Sequence, residues 1–211
     1  MRIESQHQSR RLHLGCGRDI KPEWINLDHL AGPGVDVVAD LDDCAATRLP
    51  FEDNSIDEIL ASHLIEHLSN PLPLMQELHR VAKPNAPAVF RVPYGSHDDA
   101  YTDPTHVRPY FMGSWGYFSQ PFYWRADYGY RGDWDPGYLR LLVDGKTFAG
   151  CNTKEILEGV MTLRNVVHEM TAVLTAVKPV REPRKELQSK PQIEFQLAGV
   201  EAQPQKQPVL P

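Results

Sequence analysis

The chain has 211 residues, a formal net charge of −6 and three cysteines, Cys16, Cys44 and Cys151. That length fits one sizeable domain with an appendage, and the excess of acid gives no bulk attraction to nucleic acid. No apolar run reaches membrane-spanning length, and the polar residues 1–11 lack the apolar core of a signal peptide. The odd, scattered cysteines form no disulfide framework or thiolate zinc site, so a reducing, cytoplasmic setting is expected.

In chain order, residues 11–14 read as a first strand, 24–28 as a second, and the valine-rich 35–41 as a third. Residues 56–62 read as a fourth strand and 64–82 as a helix whose early part is broken by Pro71 and Pro73. Leu74, Leu78 and Val81 share one face of that helix, and Lys83-Pro84-Asn85 stops it. Residues 88–92 read as a fifth strand ended by Pro93. Such alternation points to a parallel sheet that binds ligands at the carboxyl ends of its strands.

Composition then shifts. Residues 94–138 carry 14 of the 19 aromatics with poor periodicity, which reads as a functional lid. Residues 138–143 could return as a strand. From Thr153, as N-cap, a helix is expected. Ile156, Val160, Leu163, Val167, Met170, Leu174 and Val177 follow a 4-3-4-3-4-3 spacing, a heptad seam. The seam is either the inner face of a helix packed on its own domain or a homodimer contact. Beyond Lys178, only 193–197 alternate like a strand, in an otherwise extended tail.

The most informative stretch is Leu14-Gly15-Cys16-Gly17 followed by Asn26-Leu27-Asp28. Two glycines at a strand end allow a sharp turn and a close backbone approach to a ligand. A carboxylate at the tip of the next strand can accept hydrogen bonds from a ribose diol. A nicotinamide dinucleotide site would need GxGxxG opening a full helix and a more distant acid. Here Asp19 takes the third glycine position and only ten residues separate Gly17 from Asp28, so the first helix is expected to shrink to a turn. Asp28 and Asp40 could each alternatively cap a following turn.

Together with Asp40-Leu41, Leu49-Pro50-Phe51, Asn54-Ser55-Ile56-Asp57, Ser62-His63-Leu64-Ile65-Glu66-His67 and Glu77-Leu78-His79-Arg80-Val81, these residues resemble class I S-adenosylmethionine-dependent methyltransferases of type 11. The resemblance covers residues 11–93, with His13 where an acidic residue is usual. It implies that the backbone of Gly15 and Gly17 holds the methionine part of S-adenosylmethionine. It further implies that Asp28 binds the ribose hydroxyls and that Asp40 and the Leu41 backbone face the adenine. The expected fold is a single α/β domain: a doubly wound, mostly parallel, Rossmann-like sheet with an aromatic lid and a C-terminal helical arm. Its expected parts are an N-terminal tail at 1–10, the cofactor-binding domain at 11–150 including the lid at 94–138, the helix at 151–178 and the extended tail at 179–211.

The expected reaction is methyl transfer to oxygen of a small-molecule or glycan-like acceptor. A catalytically silent cofactor-binding or scaffolding protein is the alternative. The segment Asp103-Pro104-Thr105-His106 resembles a motif of methyltransferases associated with polysaccharide pathways. His63, directly after the fourth strand, is either the base that takes the acceptor proton or a histidine that orients the loop. His63, Glu66 and His67 at i, i+3 and i+4 would share one helix face and form a candidate metal site. This arrangement is similar to the Glu-x-x-Glu-His metal motif of small-RNA 2′-O-methyltransferases and some ubiquinone-pathway O-methyltransferases, with His97 or His106 as a further ligand. Such donors suit zinc, manganese or iron better than magnesium. The alternative is that Glu66 and His67 only cap and brace the helix.

Overall fold

The computed structural model describes residues 9–199. Its centre is an eight-stranded sheet in the order β3-β2-β1-β4-β5-β7-β6-β8. The strands are β1 Arg11–Leu14, β2 Trp24–Asp28, β3 Val37–Val38, β4 Glu58–Ser62, β5 Pro87–Pro93, β6 Trp134–Asp144, β7 Val167–Ala176 and β8 Gln192–Ala198. Strands β1 to β5 pair in parallel, whereas β7 runs antiparallel to β5 and β6, and β8 runs parallel to β6. The architecture is therefore the expected mostly parallel, Rossmann-like sheet.

Burial explains the strand pattern. Leu12, Leu14, Leu27, Ile59, Ala88, Phe90 and Val92 alternate along their strands and bury one common face of the sheet. The third strand is much shorter than 35–41. Asp36 spends its carboxylate on the Asn26 amide (2.8 Å) rather than entering the ladder, and Asp40 turns the chain by accepting from the Asp42 amide (3.0 Å).

Only the β4–β5 crossover carries a long helix, α1 Pro71–Val81. It starts later than 64–82 because Asn70 caps it, accepting from the Leu72 amide at 3.2 Å, and Pro71 fits a first turn that needs no N–H. Its apolar face, Leu74, Met75, Leu78 and Val81, is buried on the sheet. Two single turns follow, α2 Asp99–Thr102 and α3 Gly145–Phe148.

The C-terminal helical arm is not formed. Helix α4 spans only Thr153–Thr162, capped by Asn152 in a reciprocal box with Glu155 rather than by Thr153. Asn165 then takes a left-handed φ of 59° and the chain turns into β7. The supposed seam residues Val167, Met170 and Leu174 are strand residues on the buried face that also holds Ala172 and Ala176. The intervening Thr171, Val173 and Thr175 are β-branched and favour that outcome. A seam along one helix from 156 to 177 therefore does not exist, and the homodimer contact read from it loses its basis.

Strand β6 is longer than 138–143 and bulges between Pro136 and Tyr138, where a proline is tolerated. The expected strand at 193–197 is present as β8 on the sheet edge. Of the two expected tails, residues 1–8 and 200–211 lie outside the described residues. Among the described residues, no helix is long and apolar enough to cross a membrane.

The aromatic segment builds a second layer that shares the core of the sheet. Trp115 is fully buried, stacks on Tyr110 at 5.2 Å and meets Phe90 of β5 at 5.4 Å. The fully buried Asp133 carboxylate joins this layer to the C-terminal chain, accepting from Arg181 Nη2 at 2.8 Å, Arg181 Nε at 2.9 Å and the Gln120 amide at 3.2 Å.

The ladder sets a direct expectation. Leu163→Glu, at a half-exposed position, should change stability by no more than about 0.5 kcal/mol. Met170→Ala, in buried β7, should cost about 2–5 kcal/mol. Urea denaturation of both variants tests this, and a large loss in the first would restore the seam.

Candidate active site

Parallel pairing brings the ends of β1, β2 and β4 to one rim. Strand β1 ends at Leu14, and Gly15 and Gly17 bend the chain with left-handed φ of 60° and 51°. A Cβ on Gly15 would come within 2.9 Å of Leu64 Cδ1, so only glycine lets the β1 loop pass the segment after β4. At Gly17 a Cβ would meet nothing within 4 Å, which leaves space above the bend.

Asp28, at the end of β2, faces this bend. Its Oδ2 accepts from the Gly17 amide at 2.8 Å and its Oδ1 from the Leu30 amide at 3.1 Å, with His29 Nδ1 at 3.0 Å. Burial pushes the carboxyl up, but the two amides and His29 outweigh it and hold it below the ordinary carboxylate range. Asp28 is thus a fixed anion, and each of its oxygens retains acceptor capacity. The Ala39 amide donates to the Asp28 carbonyl at 3.0 Å, which sets Asp40 and Leu41 beside the β2 end. Asp40 is exposed and Leu41 buried. The capping roles open for both acids are therefore real: each closes a local turn as well as lining the rim.

Two residues that brace this loop were missed as such in the sequence. Asn26 Oδ1 accepts from the Lys21 amide at 2.9 Å, and Asn26 Nδ2 donates to the Lys21 and Trp24 carbonyls at 3.0 and 3.1 Å. His13 lies opposite Asn26 in the β1–β2 register, with Nδ1 at 3.3 Å from Asn26 Oδ1. Burial lowers the His13 pKa. The available signal was a polar residue at a core position in each of two consecutive strands. Together they hold the first crossover as a turn.

The segment after β4 differs from expectation. His63 takes a left-handed φ of 51°, and residues Ile65–His67 form a 3₁₀ turn rather than the start of an α-helix. His63 precedes this turn, and its Nδ1 lies 3.4 Å from Glu66 Oε1 while its Nε2 lies 3.1 Å from Glu169 Oε2 on β7. The hydrogen bond to Glu169, then the Glu66 carboxylate beside Nδ1, raises the His63 pKa to about 10. The two carboxylates favour the protonated ring and so work against a neutral base at this position. Glu169 carried no sequence signal, since it sat in the supposed helix.

The three-residue helix face is likewise corrected. His63 does not join His67. Instead, ligand atoms of Glu66, His67 and His106 lie within 4.8 Å of one another. The Val107 and Arg108 amides donate to the Glu66 carbonyl at 3.0 and 3.2 Å, which carries His106 over the 3₁₀ turn. His97 is elsewhere, packed on His168 with ring centroids 4.9 Å apart.

Next to this turn is a cleft of about 530 Å³, between the start of α1 and the aromatic layer. Pro71, Arg108, Phe111, Ser114, Tyr117 and Tyr128 line it, and His63 does not. Phe111, Tyr117 and Tyr128 are exposed, at 42%, 57% and 69%.

Comparison with known proteins agrees with this geometry. The Methyltransferase domain family matches residues 5–90. An uncharacterized methyltransferase of Mycobacterium sp. (strain KMS) is 35% identical over 77 residues, 34% of this chain and 31% of that protein. One from Mycobacterium marinum is 36% identical over 75 residues, 33% of this chain and 28% of that protein. The match thus spans less than a third of the length of these curated relatives. A SAM-dependent methyltransferase from Archaeoglobus fulgidus superposes with a TM-score of 0.54 at 16% identity, covering 80% of this chain and 86% of that one. A putative sarcosine dimethylglycine methyltransferase from Galdieria sulphuraria gives 0.51 at 13% identity, covering 81% and 79%. The sheet order and glycine bend define a Rossmann-like methyltransferase fold. Residues 5–90 match the Methyltransferase domain family, and the whole sheet has the fold of S-adenosylmethionine-dependent methyltransferases.

Asp28 has a depressed carboxyl pKa, so its stabilisation is complete above the unfolded-state value of about 3.9 and is lost as pH falls through the folded-state value. Asp28→Asn should cost about 1.5–3 kcal/mol at neutral pH, the scale of hydrogen bonds to a charged group. The gap to wild type should close below about pH 4. Denaturant titrations across pH measure it.

Proposed function

We propose that this chain binds S-adenosylmethionine over Gly15 and Gly17 and transfers its methyl group to an acceptor hydroxyl. The observation that carries the reading is the Asp28 carboxylate, held as an anion by the Gly17 and Leu30 amides beside the open space at Gly17. In that position it accepts from the ribose hydroxyls, while the Gly15 and Gly17 backbone takes the methionine part. Asp40 and the Leu41 backbone face the adenine. The methyl leaves the sulfonium sulfur as the C–S bond breaks and the C–O bond forms, giving the thioether and the methyl ether, and the hydroxyl proton passes to water. The enzyme's main contribution is alignment of donor and acceptor.

The cleft supports a small-molecule or glycan-like acceptor. Its volume falls in the range of small-molecule sites. Phe111, Tyr117 and Tyr128 offer ring faces to a sugar or other flat apolar surface, and Arg108 and Ser114 add hydrogen-bond donors. Such open space favours an enzyme over a silent cofactor-binding protein, whose aromatic layer would fill the acceptor position. His63, half-exposed and tied to Glu66 and Glu169, is read as a positioning residue on the rim.

Calorimetry with S-adenosylhomocysteine tests the cofactor site. Asp28→Ala should weaken binding by about 1.5–3 kcal/mol, roughly tenfold to a hundredfold. Equal affinity in the variant would overturn the assignment. Release of S-adenosylhomocysteine against pools of hydroxylated small molecules and oligosaccharides then identifies the acceptor. With that acceptor, Tyr117→Ala should lower kcat/KM about tenfold and leave S-adenosylhomocysteine affinity unchanged.

A further inference from the structure

We infer that Glu66, His67 and His106 form a binding site for a divalent transition metal ion, with zinc as the first choice. Two independent observations carry this. The first is convergence: the three residues place ligand atoms within 4.8 Å of one another, and the His67 and His106 rings approach to 4.6 Å at an interplanar angle of 69°.

The second is unmet demand in buried groups. Glu66 is only 2% exposed, yet neither of its carboxylate oxygens makes a hydrogen bond. Its Oε1 has His63 Nδ1 at 3.4 Å as an ion-pair neighbour. His63 stands only on the Oε1 side and is itself half-exposed, so Oε2 remains a buried carboxylate oxygen with no partner, a demand that a second cation meets. The buried Nδ1 of His106 also has no hydrogen-bond partner.

The surroundings prepare His67 to bind metal. Thr105 Oγ1 has one proton and donates it to Asp103 Oδ1 at 2.6 Å. It must then accept from His67 Nδ1, 2.9 Å away. That fixes the proton on Nδ1 and leaves the Nε2 lone pair free. A chain from carboxylate through hydroxyl to imidazole is the outer-shell support that metal-binding histidines use. The Asp103-Pro104-Thr105-His106 segment thus supplies one ligand and orients another. Two imidazole nitrogens and one carboxylate suit zinc, manganese or iron(II), not magnesium.

Three protein ligands leave coordination positions open. On the methyl-transfer reading proposed above, Glu66, His67 and His106 would hold the ion, and the ion would supply Lewis acidity toward an acceptor hydroxyl.

The test uses the whole chain without an affinity tag, stripped with chelator and titrated with Zn²⁺ and then Mn²⁺ by calorimetry. One equivalent of Zn²⁺ per chain is expected. His67→Ala and His106→Ala should each weaken it more than tenfold, and Thr105→Val about tenfold, the usual scale for outer-shell support. Because His67 and His106 are only half-buried, these variants keep the test open even where Glu66→Gln fails to fold. No saturable binding by wild type would overturn the site. Equal affinity in a His67→Ala/His106→Ala double variant with a wild-type circular dichroism melt would do the same. S-adenosylhomocysteine affinity of the stripped chain is measured in parallel. Its retention alongside absent metal binding would sink the metal site and leave the cofactor site standing.

Discussion

Parallel pairing of β1 with β2 on one side and β4 on the other is the constraint on which the rest of the molecule depends. Parallel neighbours must end at the same edge, so loops from distant parts of the chain are forced together there. Gly15, Gly17, Asp28 and His63 meet at that edge for no other reason. Strand β7 extends the same logic in the opposite direction. Running antiparallel to β5, it pairs Glu169 with Pro93 at the carboxyl end of β5 and so delivers a carboxylate to His63.

The aromatic layer is the second organising feature. Its large rings are mostly spent on packing, with Tyr110, Trp115, Phe118, Tyr123 and Tyr130 buried. That packing fixes what the layer presents outward. Phe111, Tyr117 and Tyr128 remain exposed over the cleft, and residues 103–108 are clamped to the 3₁₀ turn through the Glu66 carbonyl. The Asp133–Arg181 pair anchors the base of the layer to the chain after β7. A buried charge of this kind is tolerated because several donors share it.

These two features meet at Glu66. Its backbone belongs to the turn after β4, and its side chain lies between His63, which β7 restrains, and the histidines of the aromatic layer. The turn after β4 therefore links the rim, through His63, to the histidine cluster, through Glu66 and His67.

The amino-acid sequence by itself determined the parallel half of the sheet, the glycine bend, the acids at the strand ends and the shortened first crossover. Each is a local signal: apolar runs of strand length, glycines that alone accept left-handed φ, and a spacing too short for a helix. Even the helix α1 was legible, although its start at Pro71 was set by the Asn70 cap. Tertiary structure alone decided the C-terminal third. The stretch 156–177 satisfies a heptad and, from 170 on, a strand alternation as well. The hydrogen-bonding edges of β5 and β6 selected the strand, because β7 pairs the backbone groups along both edges that a helix there would leave without partners. Only that choice brought Glu169 to His63, and only the folding of residues 103–108 onto the 3₁₀ turn picked His106 over His97. No spacing along the chain encodes such contacts, since they are made by residues that share no element.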